Sequence, residues 1–191
     1  MLKMALARLR QLAAHEVGHT LGLMHNYASS VHDRASVMDY PHPMVKLNAE
    51  GNIDLLDAYD DKIGEWDKAA IAWGYQDFPT GTDEKKALNK ILNTTISNDL
   101  QYISDRDARS PGGAHPAAHL WDNGADAITE LGEVMKVRAK ALADFGANTI
   151  RTGTPMAMLE DVLVPVYLYH RYQLEAATKL VGGLYYTYAL K

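Results

Sequence analysis

Apolar residues recur along this 191-residue chain with a period near 3.6, and the spacing predicts helices through most of it. Leu2 to Leu12 are strong helix formers uninterrupted by Gly or Pro, which predicts a first helix from Leu2 to Leu23. Tyr59, Ile63, Trp66, Ala70 and Trp73 keep helical spacing, and Gly74 stands where a C-terminal cap would fall. Another helix is announced by the acidic start Thr82-Asp83-Glu84, with Leu88, Ile91 and Leu92 on its apolar face. Leu131, Val134, Met135, Leu142 and Phe145 form a long stripe. Leu159, Val162, Leu163, Val166 and Tyr167 begin a second, which continues through Leu174 and Leu180. Pro165 is expected to kink or divide this last helix, and Gly182-Gly183 to weaken its end. Polar connections fill residues 26–53 and Ser104–Pro116. No convincing alternation of period two appears, so the expected fold is mainly α.

Composition narrows the class. Hydrophobic residues make up 47% and the formal charge is −5 with no basic cluster, which argues against a nucleic-acid partner. No apolar run reaches the length of a membrane span, and the first residues lack a signal-peptide core with a cleavage site. Cysteine is absent, so disulfides and thiolate-bound zinc are excluded and histidine must carry any transition metal.

Residues 15–25 read H-E-V-G-H-T-L-G-L-M-H. His15 and His19, four apart on a helix, share one face and can bind one zinc ion through imidazole nitrogens. Glu16 flanks that face, placed to reach a metal-bound water as general base without ligating the metal. Gly22 tolerates the positive φ that ends a helix and turns the chain, which would return His25 as third nitrogen ligand. Three protein ligands leave a fourth position for water, the arrangement of a catalytic rather than a structural zinc. The chemistry that follows is hydrolysis of an amide or peptide bond. Chance is a poor rival: with Gly at ~7% of residues and His rarer, the two matches beyond H-E-x-x-H reduce it several hundredfold.

The pattern resembles the long zinc signature of the metzincin metalloproteases. Ser36-Val37-Met38-Asp39-Tyr40-Pro41 resembles the methionine-bearing turn (Met-turn) that those enzymes carry beneath the zinc, with Met38 in the methionine position. By the same resemblance Tyr40 either ligates the resting zinc or donates a hydrogen bond to the tetrahedral oxyanion. The alternative is a tyrosine packed in the turn with its hydroxyl on backbone. The segments S-D-R-D-A-R-S-P-G-G-A-H-P-A-A-H-L-W-D-N-G and L-E-D-V-L-V-P-V-Y-L-Y-H-R-Y extend the resemblance to large bacterial, exported zinc-dependent metalloproteases.

That resemblance implies a mainly α chain: zinc helix, Met-turn loop and following helix of a metzincin lower subdomain in residues 1–80, then a helical extension in residues 81–191. The N-terminal sheet subdomain is expected to be absent, the chain being the C-terminal part of a catalytic domain whose parent is exported. The implied partners are a protein or peptide substrate and the N-terminal part of the same protease. Two other readings stand beside the zinc metalloendopeptidase: a helical binding module with a structural zinc, and a hydrolase of small amides. Outside the motif, His32 and His42 are expected at the surface. His115 and His119 are expected to hydrogen-bond rather than bind a second metal, and His170 to be packed or half-exposed. Asp105 and Asp107 are expected to cap or to pair with Arg106 and Arg109, with a cation as the alternative.

Overall fold

The computed structural model describes residues 2–188. Helix α1 (Leu2–Thr20) buries a narrow stripe of small and polar residues, Ala7, Gln11, His15 and Gly18. It stops three residues short of the expected Leu23. The Gly22 N–H donates to His19 O at 3.0 Å and the Leu23 N–H to Gly18 O at 3.0 Å, with Gly22 at φ 83°. These are the paired bonds of a Schellman motif, which satisfies the last carbonyls while reversing the chain.

A short 3-10 turn (Ser30–His32) and the 36–41 turn follow. The chain then forms a hairpin where no alternation of period two was expected. Its strands β1 (Lys46–Leu47) and β2 (Ile53–Asp54) have two residues each, too short for alternation to register. Among the described residues this pair is the only sheet.

Helix α2 (Glu65–Tyr75) begins later than the apolar spacing suggested, leaving Tyr59 and Ile63 in the preceding loop, and its C-terminal cap is Gln76 rather than Gly74. Its start is set by Asp67, whose carboxylate accepts from the Gly64 N–H at 2.7 Å. Helix α3 (Glu84–Ser97) is capped by the Asp83 carboxylate, which accepts from the Lys86 N–H. It packs on α2.

A one-turn helix α4 (Asp105–Ala108) lies inside the stretch expected to be loop throughout. Helix α5 (Ala127–Ala143) buries Val134 and Val137. Met135 faces solvent and Phe145 falls beyond the helix end. The last stripe is divided, as Pro165 suggested, into α6 (Leu159–Tyr167) and α7 (Arg171–Gly182). Proline withholds one amide from the ladder, and the helix ends within a turn of it. Helix α5 packs against α7, α6 and the hairpin.

The core is small and sits beside the 15–25 motif: Tyr27, Ala28, Ile103, Ala108 and Ala118, flanked by Tyr40, Leu120 and Tyr186. Long-range hydrogen bonds join the motif's downstream loop to the later chain. The Tyr27 N–H donates to Ile103 O, the Asn26 Nδ2–H to Gln101 O, and the Trp121 N–H to Tyr40 O. Among the described residues no helix is long and apolar enough to cross a membrane.

Candidate metal centre

The Schellman turn delivers what the motif spacing demanded. His15 Nε2 lies 3.1 Å from His19 Nε2, which lies 3.2 Å from His25 Nε2. Two nitrogens bound to one tetrahedral zinc at ~2.0–2.1 Å would stand roughly 3.3 Å apart. Of the described His, Asp and Glu side chains, these three form a cluster able to hold a metal. His15 is buried and His25 half-buried.

The other face of each ring fixes its protonation. His15 Nδ1 lies 2.7 Å from Val37 O, His19 Nδ1 lies 2.9 Å from Leu23 O, and His25 Nδ1 lies 2.8 and 3.0 Å from the two Asp105 carboxylate oxygens. Every one of those partners is an acceptor, so each Nδ1 must carry the hydrogen. The Nε2 atoms of neutral rings then present bare lone pairs to one another. Their close approach makes a nest of three nitrogen donors that could hold one cation. Burial pushes the His15 pKa below its ordinary value, aided by His19 and His25 and opposed by the Val37 carbonyl, which keeps the ring neutral and ready to ligate.

The acceptors come from three places. Leu23 belongs to the turn after α1, Val37 to the 36–41 turn, and Asp105 to α4, eighty positions beyond His25. Asp105 also accepts from the Tyr27 hydroxyl at 3.1 Å and from Arg109 Nη1 at 3.3 Å. Partial burial pushes its carboxyl up, but the His25, Tyr27 and Arg109 contacts outweigh that and hold it below the usual carboxylate range. Burial, then the Asp105 charge, raises the Tyr27 phenol far above its ordinary value. The expected Asp105–Arg109 pair is present, yet the main partner of Asp105 is a histidine of the cluster. Asp107 instead accepts from the Tyr186 and Tyr188 hydroxyls.

Met38 is fully buried beneath α1. A Cβ on Gly18 would lie 2.3 Å from its sulfur, so only glycine lets the thioether lie against the helix between the two helical histidines. The turn around it is clamped by Asp67, a buried carboxylate that sequence reasoning missed. Its oxygens accept from Ser36 Oγ at 2.6 Å and the Val37 N–H at 2.8 Å, besides the Gly64 N–H. The one sequence sign was an acid in the first turn of the following helix. Glycine at 64 is needed as well: a Cβ there would fall 1.9 Å from Ala35 O.

Glu16 lies exposed on α1 beside the cluster, and its charge acts on His15. The Tyr40 ring packs 5.2 Å from His15 and 4.8 Å from His25, centroid to centroid, with the Arg109 guanidinium 5.8 Å from its own centroid. The backbone of Tyr40, not its hydroxyl, ties the turn to Trp121.

The remaining histidines stand apart from this cluster. His115 is buried and hydrogen-bonded to Tyr186 O and the Ala117 N–H. His119 departs from expectation: among the described residues neither ring nitrogen has a hydrogen-bond partner, Nε2 lying 3.6 Å from Glu175 Oε2, and burial, with the Lys179 charge adding to it, lowers its pKa to about 4. His42 is half-buried against Tyr169 and Tyr172 rather than at the surface, because the 167–172 aromatic run folds back over it. His32 is half-buried too, with its Nε2 3.7 Å from Asp99 Oδ2. His170 is half-buried at the start of α7, as expected.

A family model described as Met-zincin matches residues 1–191. No curated protein and no solved structure matches the chain.

Proposed function

The chain belongs to the Met-zincin family, and from that premise we propose that it is the zinc-binding portion of a metalloendopeptidase that hydrolyses peptide bonds in protein or peptide substrates. The observation that carries this reading is the convergence of three Nε2 lone pairs, each ring held in its ligating tautomer by an acceptor on Nδ1. His15, His19 and His25 would hold the zinc ion. Zinc bound there would supply a Lewis acid that brings the acidity of water towards neutral pH.

The chain's own side chains do the rest. Glu16 takes the proton of the attacking water and returns it to the leaving amine. We assign Tyr40 the donor that steadies the oxyanion, a role supported by its ring lying against His15 and His25. Asp105 orients His25 and raises its basicity as a ligand. Met38 and the Asp67 clamp hold the floor on which the rings rest. A cluster of three histidines, with no fourth His, Asp or Glu joining it among the described residues, favours an open coordination position over a structural site.

Zinc content and cleavage of a fluorogenic peptide library test the assignment together. Wild type and Glu16→Ala are expected to retain one zinc per chain and His19→Ala to lose it, and in the full-length parent only the wild-type sequence is expected to cleave. Full activity in Glu16→Ala would overturn the mechanism, and a wild-type chain without zinc would overturn the site.

A further inference from the structure

Behind the Met-turn two carboxylates are buried, and among the described residues neither is in an ion pair. Asp39, next in sequence to Met38, is 5% exposed, and Asp122, which follows the Trp121 amide bonded to Tyr40 O, is 7% exposed. Both line a narrow cleft of about 30 Å³. A site for one water or ion needs roughly 10–15 Å³ by the same measure.

The hydrogen bonds inside do not neutralise the pair. Asp39 Oδ1 accepts from the Tyr40 N–H at 2.7 Å, and Asp122 Oδ2 accepts from Ser30 Oγ at 3.0 Å. Asp122 Oδ1 is buried and has no hydrogen-bond partner among the described residues. Lys179 is near enough for its charge to act on Asp122, but its Nζ–H donates to Ala118 O at 2.7 Å. The lining also includes Asp33, Asp60, Arg34 and Lys62, with Arg34 paired to Asp60 at 2.9 Å, so it carries a formal surplus of two negative charges. Burial drives both carboxyls up, Asp39 well above its ordinary range with Asp122 adding to the effect, and Asp122 to about 7. Carboxylates so disposed stay ionised only beside a compensating charge.

We propose that the cleft is a second, oxygen-lined metal site for a hard divalent cation of the calcium class, bridging Asp39 of the Met-turn to Asp122 of the segment between α4 and α5. The unpartnered Asp122 oxygen and the double negative surplus call for a divalent charge. The donors are carboxylate and hydroxyl oxygens, and no histidine lines the cleft, which selects a hard cation over zinc. The Trp121 N–H to Tyr40 O bond and the Asn123 Nδ2–H to His42 O bond at 3.0 Å already hold the two segments in register. A cation there would fasten the floor of the histidine cluster to the later half of the chain.

The test uses the full chain, loaded with zinc and freed of calcium on a chelating resin. Equilibrium dialysis against radioactive calcium is expected to show one saturable calcium per chain. Calcium at a hundredfold excess over Kd is expected to raise Tm by roughly 5–10 °C, beyond sodium chloride of matched ionic strength. Asp39→Asn and Asp122→Asn should lose both effects while keeping zinc, and Asp61→Asn, an exposed control, should keep both. No saturable calcium in the wild-type chain overturns the proposal, whether or not the variants fold. So does binding that survives both substitutions. A Tm indifferent to calcium that rises on acidification would instead assign a proton shared by the two carboxyls, and would equally overturn it.

Discussion

Removing the Asp105 carboxylate separates orientation of a ligand from ligation itself. In Asp105→Ala all three clustered Nε2 atoms proposed to hold the zinc remain, but His25 Nδ1 loses both acceptor oxygens, now at 2.8 and 3.0 Å. Loss of such an outer partner weakens zinc binding by ~10–100-fold, or ~1.4–2.7 kcal/mol. The upper half of that range is expected here, because the lost acceptor is charged and meets the ring with both oxygens. Asp105→Asn keeps one neutral acceptor and should fall near the lower end. The substitution has a second effect: the buried Tyr27 hydroxyl loses its partner, which costs ~1–3 kcal/mol of stability. Tyr27→Phe in the same chain removes that orphaned hydroxyl, so the double variant should recover stability but not zinc affinity. Competition against a chromophoric chelator gives the zinc Kd, and thermal unfolding followed by circular dichroism gives the stability. A zinc Kd within twofold of wild type in Asp105→Ala would refute the argument. So would recovery of affinity in the double variant.

Three further outcomes follow from the geometry. Gly18→Ala drives a Cβ to 2.3 Å from the Met38 sulfur and should cost ~1–3 kcal/mol through overpacking, with most of the loss absent when Met38 is already Ala; additive losses in unfolding experiments would contradict the contact. Tyr40→Phe should reduce kcat ~10²–10³-fold with KM nearly unchanged if its hydroxyl serves the oxyanion, whereas an unchanged kcat in steady-state assays leaves only a packing role. In calcium-free protein the folded Asp122 titrates at about 7 against an ordinary 3.8, so its contribution to stability is full at acid pH and is lost as pH rises through 7. His119, at about 4 against 6.5, acts in the opposite sense over much of that window. The stability of Asp122→Asn minus that of wild type cancels the histidine and should grow as pH rises from 4 to 7; a flat difference would refute the buried carboxyl.

What was legible in the sequence was local. His15, Glu16, His19, Gly22 and His25 lie within eleven residues, and helix periodicity plus one positive-φ glycine suffices to bring the three rings together. Met38 was legible because its turn follows at short range. Asp105 was not, since nothing around S-D-R-D-A-R marks which acid will meet a histidine eighty positions earlier; that choice is made by the packing of Tyr27, Ile103 and Ala108 in the core. Asp67 looked like an ordinary first-turn acid, and its second role depends on Gly64 admitting the Ala35 backbone at close range. Helix limits shifted for similar reasons. Apolar spacing continued through Tyr59 and Ile63, but α2 starts where a side chain caps it. The hairpin and α4 are too short to leave a periodic signature.

The turn at Gly22 also bears on motion. Helix ends ordinarily fray, their last amides opening and exchanging with solvent long before the fold gives way. Here the Leu23 N–H closes on Gly18 O while Leu23 O receives His19 Nδ1–H, so one residue beyond the helix holds both its backbone end and one ring of the cluster. Opening that last turn would pull His19 and His25 apart together. Hydrogen exchange at the Leu23 amide therefore becomes a gauge of metal occupancy: quick in the metal-free chain, slow once the three rings are drawn onto an ion.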